Sequence, residues 1–269
     1  ISGDIDVDGT TNLDVVDIDG NLDVNGGTIK LDGNYPTGVS NVALGDTALD
    51  SVQSGGNFNV AIGDKALTNN TTGDGNIGIG REASFTQTTA GNNTVLGFQA
   101  GYFTTTGGSN TAVGAESLKA NTTGIANVAI GRHALKANTT ASNNTAVGRS
   151  AGLAITTGTQ NTLLGGFAGD SLTTGTNTVA IGYQAGDNLT TGDNNIAIGK
   201  NALGAEDTHD FNIAIGSNAL ATQNAGADAY NIAIGHNAGT AVTTGANNTL
   251  IGGLAGDANT TGASNTAVG

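Results

Sequence analysis

The chain has 269 residues, of which 45 are glycine and one is proline, with no cysteine, methionine or tryptophan and a formal charge of −14. This inventory excludes a large aromatic core, a disulfide framework and a thiolate metal site, and the acidic balance works against binding to nucleic-acid phosphates or anionic membranes. No apolar run approaches the ~18 residues of a membrane-spanning helix and no Gly-X-Y period points to collagen, so strands built from Val, Ile, Leu, Ala and Thr are what remains.

Residues 1 to about 40 form a first segment, in which DIDVDG, NLDVVDIDG, NLDVNGG and TIKLDG alternate Asp or Asn with Ile, Val and Leu and break at glycines. Short strands joined by tight turns, with Asp outward, are expected there. Asp4, Asp6 and Asp8 also match the opening of a calcium loop, but the bidentate Glu of position twelve is Val15, so they are weak metal candidates and no cofactor is expected. Pro36 marks the junction between this segment and a second, longer one.

From residue 41 to 269 the sequence repeats. Aligned glycines stand at Gly45, Gly63, Gly80 and so on to Gly269, 17 apart except for one step of 18 and one of 19. Ile, Val or Leu precedes each glycine, and Ala stands two before in most copies. Asn stands four before except at Thr178, and Ala three after except at Ser117. Asn59, Ile62, Gly63 and Ala66 show the pattern in one copy, and Asn127, Ile130, Gly131 and Ala134 in another. A Thr-Thr-Gly turn comes next in most copies, as at Thr71-Thr72-Gly73.

A unit this short cannot hold a strand and a crossover helix, so successive strands must stack in parallel about 4.8 Å apart, giving an all-β parallel solenoid of about fourteen coils. The Asn column is expected to form a ladder of amides from coil to coil, and the glycine of Thr-Thr-Gly to supply a positive φ. The two insertions, after Gly55 and after Gly226, fall on a solvent-facing turn. Ala61 and Ile62 point to opposite faces and both are apolar, so one face packs inside the coil and the other against a partner chain; the aliphatic column before the glycines is expected to be buried.

The pattern Asn-x-Ala-Ile-Gly-x-x-Ala resembles the head repeat of YadA-like trimeric autotransporter adhesins, over roughly residues 41 to 269. The resemblance implies a left-handed β-roll with three chains around one axis. The repeat here is longer and carries the Thr-Thr-Gly turn, and in this it looks closer to the variant in phage tail fibres, whose interwoven β-shaft the first 40 residues also resemble. The chain is read as a piece of a longer polypeptide, since it opens on Ile1 and stops on a repeat strand.

Motifs with chemical precedent are explained by repeat position. Ser150 completes a G-x-S-x-G between Gly148 and Gly152, but Gln99 and Gln184 occupy its place in like copies and no helix is expected after it. Gly78-Ile79-Gly80 imitates a dinucleotide loop without a βαβ unit. His133, His209 and His236 lie apart and are expected on the surface. Phe58, Phe211 and Tyr230 are expected to cover the turn before the repeat Asn, and Phe98, Tyr102 and Phe103 to pack locally rather than stack on sugar. Regular Thr suggests an ice-binding face as a minor alternative, disfavoured because adjacent threonines point apart.

The sequence thus points to a non-enzymatic homotrimeric fibre, most simply the shaft or receptor-proximal segment of a phage tail fibre in the virion. The alternative is an extracellular bacterial surface adhesin. A host-surface glycan or protein is the expected partner; nucleic acid and membrane insertion are not.

Overall fold

The computed structural model describes residues 38–269; Asp4, Asp6, Asp8 and most of the first segment lie outside them. The described residues form a parallel β-solenoid of fourteen strands, β1 (Val42–Leu44) to β14 (Thr266–Val268), in one sheet whose spatial order is the chain order. Equivalent residues align without slip: Val60, Ala61 and Ile62 pair with Ile77, Gly78 and Ile79, and the 19-residue step keeps Ile213 against Ile232. The stacking bonds already include Val39, whose carbonyl accepts from Phe58 N–H at 2.9 Å.

Each strand spans three residues. The stack does not depend on those three alone, because inter-coil bonds continue around the turn: Leu67 N–H donates to Ala83 O at 3.0 Å and Thr71 N–H to Thr88 O at 2.8 Å. Backbone groups in a coil this tight must be paired, and the coils above and below provide the partners.

The asparagine ladder is present, with a backbone component. Oδ1 of Asn59 accepts the N–H of Asn76 (2.9 Å), while its Nδ2 donates to Gly73 O (2.9 Å), the carbonyl that closes its own coil. Asn127 does the same with Asn144 and Ala141. At the one substituted rung, Thr178 N–H still reaches Asn161 Oδ1 at 2.9 Å, but its hydroxyl meets Gly192 O only at 3.4 Å. A second ladder comes from the first Thr of each Thr-Thr-Gly, whose hydroxyl donates to the next coil's carbonyl, as Thr105 to Thr122 (3.0 Å) and Thr122 to Thr139 (3.0 Å). These hydroxyls bind the solenoid together and are not held out to order water.

Two expectations need correction. The Thr-Thr-Gly glycines do not take a positive φ; left-handed turns fall instead on ordinary residues, such as Ala126, His133 and Leu135 with φ of 56°, 64° and 49°. Glycine is required at Gly73 because a Cβ would come within 2.5 Å of Asn70 Oδ1 and closer still to Ala90 O. The aliphatic column before the repeat glycines is not buried within the chain. Ala61 and Ala129 are fully buried, whereas Ile130 is 38% exposed and Leu44 49%, so the inward face of the strand is the alanine face.

The interior is filled by three positions that compensate one another in volume. In most coils with Leu four after the glycine, as Leu118, Leu135 and Leu203, the residue three further on is polar, as Asn121, Asn138 and Glu206, Val52 being an exception. In most coils with Gly there, as Gly152, Gly169 and Gly186, the later residue is aliphatic, as Ile155, Leu172 and Leu189, Thr104 and Asn259 being exceptions. Leu163, in the strand's inward position, lies over this space: a Cβ on Gly152 would sit 2.7 Å from Leu163 Cδ1 and 3.1 Å from Ile155 Cδ1. A coil of nearly constant cross-section therefore admits one large aliphatic side chain here, from either side. Gly152→Leu is expected to destabilise by about 1–3 kcal/mol through overpacking. Adding Ile155→Asn should recover part of that loss, and a double-mutant cycle in denaturant reads the coupling.

The insertion after Gly226 faces solvent as expected, and nothing lies within 4 Å of a Cβ placed on Gly226; at the other, Gly55 is exposed but Gly56 is buried, its carbonyl accepting from Asn41 Nδ2 at 2.8 Å.

Candidate functional site

Two surfaces distinguish themselves. The first is the outward face of the sheet, where every residue preceding a repeat glycine is Leu, Ile or Val. Beside it runs a column of Val, Ile and Thr, from Val60 and Ile77 to Thr94 and Thr111, exposed or partly so. Ile62 and Ile130 belong to this face, while Ala66 and Ala134, three after their glycines, are fully buried inside the coil. Where the column departs from alanine, Ser117 is also buried and turns its hydroxyl back to Gly114 O at 2.9 Å.

The second surface is a corner on the turn after the strand. Between residues 83 and 169 there is one carboxylate, Glu116, against Lys119, Arg132, Lys136 and Arg149, half of the chain's Lys and Arg. The repeat period stacks them: Lys119 lies one coil from Lys136, and Arg132 one coil from Arg149. Glu116 binds Lys119 Nζ at 2.8 Å, Lys136 Nζ at 2.7 Å and His133 Nε2 at 3.2 Å. The hydrogen bonds from Lys119 and Lys136 pull its carboxyl down to about 2. Burial and the neighbouring Lys136 and Arg132 lower the His133 pKa, so this ring is neutral at physiological pH.

Glu116 therefore contributes stability that is complete above its ordinary value of 4.5 and is lost as the pH falls towards about 2. Glu116→Gln is expected to cost roughly 1 kcal/mol at neutral pH, a modest value because the group is partly solvated. The difference from the parent should be flat above 4.5 and vanish near 2, as followed by melting temperature against pH.

Next to the cations lies an aromatic group. Tyr102 stacks on Phe85 (5.1 Å between centroids) and takes the edge of Phe103 (4.7 Å), which leaves Phe103 47% exposed. Tyr102 and Phe103 pack together as the sequence suggested, whereas Phe98, 44% exposed, meets Arg81. Phe103, Lys119, Lys136 and Leu153 surround a groove of about 490 Å³ floored by Ala120, Ala137 and Ala154. Arg149 lies 5.2 Å from the Phe167 ring centroid and Arg81 5.7 Å from that of Phe98. Phe211 and Tyr230 stack in parallel 5.3 Å apart, and Phe58 is 63% exposed.

The other sequence candidates resolve individually. Glu116, His133 and Ser150 occupy equivalent positions on three successive coils, a carboxylate–imidazole–hydroxyl column, but no hydrogen bond joins Ser150 to His133 among the described residues, as nucleophile activation requires. Asn121, the first residue of a glycosylation sequon, is fully buried and donates to Gly124 O.

His209 departs from the surface role expected of it. Its Nδ1 lies 2.8 Å from Oε1 of Glu206, a fully buried carboxylate that stands where several other coils place asparagine. Gln223 Nε2 donates to the other oxygen at 2.9 Å. Glu206, Asp207 and His209 bring ligand atoms within 4.8 Å of one another. Since His209 and Gln223 already satisfy the Glu206 oxygens, the geometry is that of a paired buried acid. No helix among the described residues is long and apolar enough to cross a membrane. No protein-family model matches the chain, and neither a curated protein nor a solved structure matches it.

Proposed function

We propose that this chain is a structural and adhesive segment of a fibre, built as a homotrimer of solenoids and carried on a phage tail in the virion, and that it catalyses no reaction. The observation that carries the reading is the outward strand face, an aliphatic column running the length of a parallel β-solenoid whose interior is already filled by its own Ala and Leu. Soluble monomers rarely expose an apolar strip of that extent, and association with copies of the same chain covers it in register, coil against coil. The Asn and Thr ladders supply longitudinal cohesion, the property a shaft needs. A bacterial surface adhesin of the trimeric autotransporter kind is the second reading, supported by the Asn-x-Ala-Ile-Gly-x-x-Ala pattern. Immunogold labelling with antibody against residues 41–269 separates the two. Decoration of tail fibres on virions supports the first, and decoration of bacterial cells carrying no phage genome overturns it in favour of the second.

A further inference from the structure

We infer that the groove between Phe103 and Leu153 is a binding site for an acidic polysaccharide, a chain of sugar rings bearing carboxylates. The inference rests on the adhesive reading above and names the ligand class and the residues that take it.

Three features of the groove agree. Its electrostatics are inverted relative to the molecule: Lys119 and Lys136 line it against one carboxylate, Glu116, with Arg132 and Arg149 in neighbouring coils, in a chain of charge −14. An anion approaching the rod is repelled over most of its surface and attracted here. The cations retain donor capacity. Lys119 Nζ bonds Gln99 Oε1 at 2.7 Å and Glu116 at 2.8 Å, and Lys136 Nζ bonds Glu116 at 2.7 Å. An ammonium has three donors, so one remains on Lys119 and two on Lys136. Glu116 holds both side chains in place, which reduces the entropy lost when a ligand carboxylate joins them.

The shape fits sugar rather than a side chain or a base. Ala120, Ala137 and Ala154 make a level floor stepping by one coil, about 4.8 Å, comparable with the step between rings of an extended glycan. Phe103 closes one end and presents a half-exposed ring, fixed by Tyr102 and Phe85, against which the apolar face of a pyranose packs. Successive ring carboxylates would then meet Lys119 and Lys136 in turn. The groove lies on the turn and not on the outward strand face assigned to neighbouring chains.

The test uses the full chain and calorimetric titration with oligogalacturonate, oligoguluronate, oligomannuronate and hyaluronan fragments. The fully methyl-esterified oligogalacturonate serves as the uncharged comparison. At least one acidic chain is expected to bind, with the esterified form about tenfold weaker, a difference of about 1.4 kcal/mol. Lys119→Gln/Lys136→Gln should remove that discrimination, and Phe103→Ala should weaken acidic and esterified forms alike. Lys200→Gln, remote along the rod, should change nothing. Lys136→Gln alone, which leaves Lys119 on Glu116, replaces the double variant if that one melts early.

Absence of binding to all four acidic chains overturns the inference, as does binding that Lys200→Gln reduces as much as the groove variants do. Native mass on the same samples keeps the two readings apart. A trimer that ignores every acidic chain removes this site and leaves the fibre, whereas a monomer that binds them leaves the site and removes the fibre.

Discussion

Ala129→Asp is expected to lower stability by several kcal/mol through a charge buried inside its own chain, and Ile130→Asp to lower it through the contact between chains. The two residues are adjacent on one strand and both apolar, yet they face different surroundings. Ala129 is fully buried within its own chain, packed in a column with the alanines of neighbouring coils, so a carboxylate there has neither water nor a partner. The damage should spread, because each coil is supported only by those beside it. Ile130 is 38% exposed in the single chain and is covered, on the reading proposed here, only by another copy. Because association and unfolding are one event on that reading, melting temperatures of the parent and of both variants should rise with protein concentration, Ile130→Asp acting by weakening the contact between chains. Thermal melts across a hundredfold range of protein concentration measure this. A parent melting temperature that does not move with concentration would mean that the outward column has no partner.

Gly131→Ala is expected to cost about 3 kcal/mol or more, among the largest effects of any single methyl in the molecule. Gly131 has φ near +131°, and a Cβ there would lie 2.5 Å from Gly148 O, the backbone of the next coil. Strain and collision act together, and the colliding atom cannot swing aside as a side chain would. Gly226→Ala is the matched control: nothing lies within 4 Å of its Cβ and its φ is not positive, so a change within about 0.5 kcal/mol is expected. Chemical denaturation of the two variants checks the contrast, and a Gly131→Ala protein as stable as Gly226→Ala would contradict the stacking described.

Most of the architecture was legible because a repeat multiplies weak signals. One Asn-x-Ala-Ile-Gly says little, but its glycine returning every 17 residues fixes parallel stacking and register, and the insertion after Gly226 marks a solvent-facing turn. What was not legible has specific causes. Ala129 and Ile130 are both apolar, so alternation could not say which points inward; the size of the coil decides it, since only alanine leaves room for Leu118 or Leu135 across the interior. The need for glycine at Gly73 was visible but its reason was not, because close approach between coils and a left-handed backbone leave the same trace in one sequence.

A further signal was present and unread. Leu135 with Asn138, against Gly152 with Ile155, is an exchange of volume between two repeat positions, visible once the coils are aligned position by position. The cationic corner likewise needed three dimensions. Lys119 and Lys136 are far apart along the chain and meet only because the period stacks them around Glu116, with Arg132 and Arg149 stacked one coil apart nearby. His209 was expected on the surface, and burial of Glu206 beside it is set by the inward position that asparagine takes in several other coils.

Sharing of the outward aliphatic face between copies of this chain is the central claim, and native mass spectrometry at nanomolar concentration tests it most directly. Three chains, about 79 kDa from a protomer of 26.2 kDa, are expected, with dissociation and unfolding occurring together. A folded, soluble species of 26.2 kDa would contradict it.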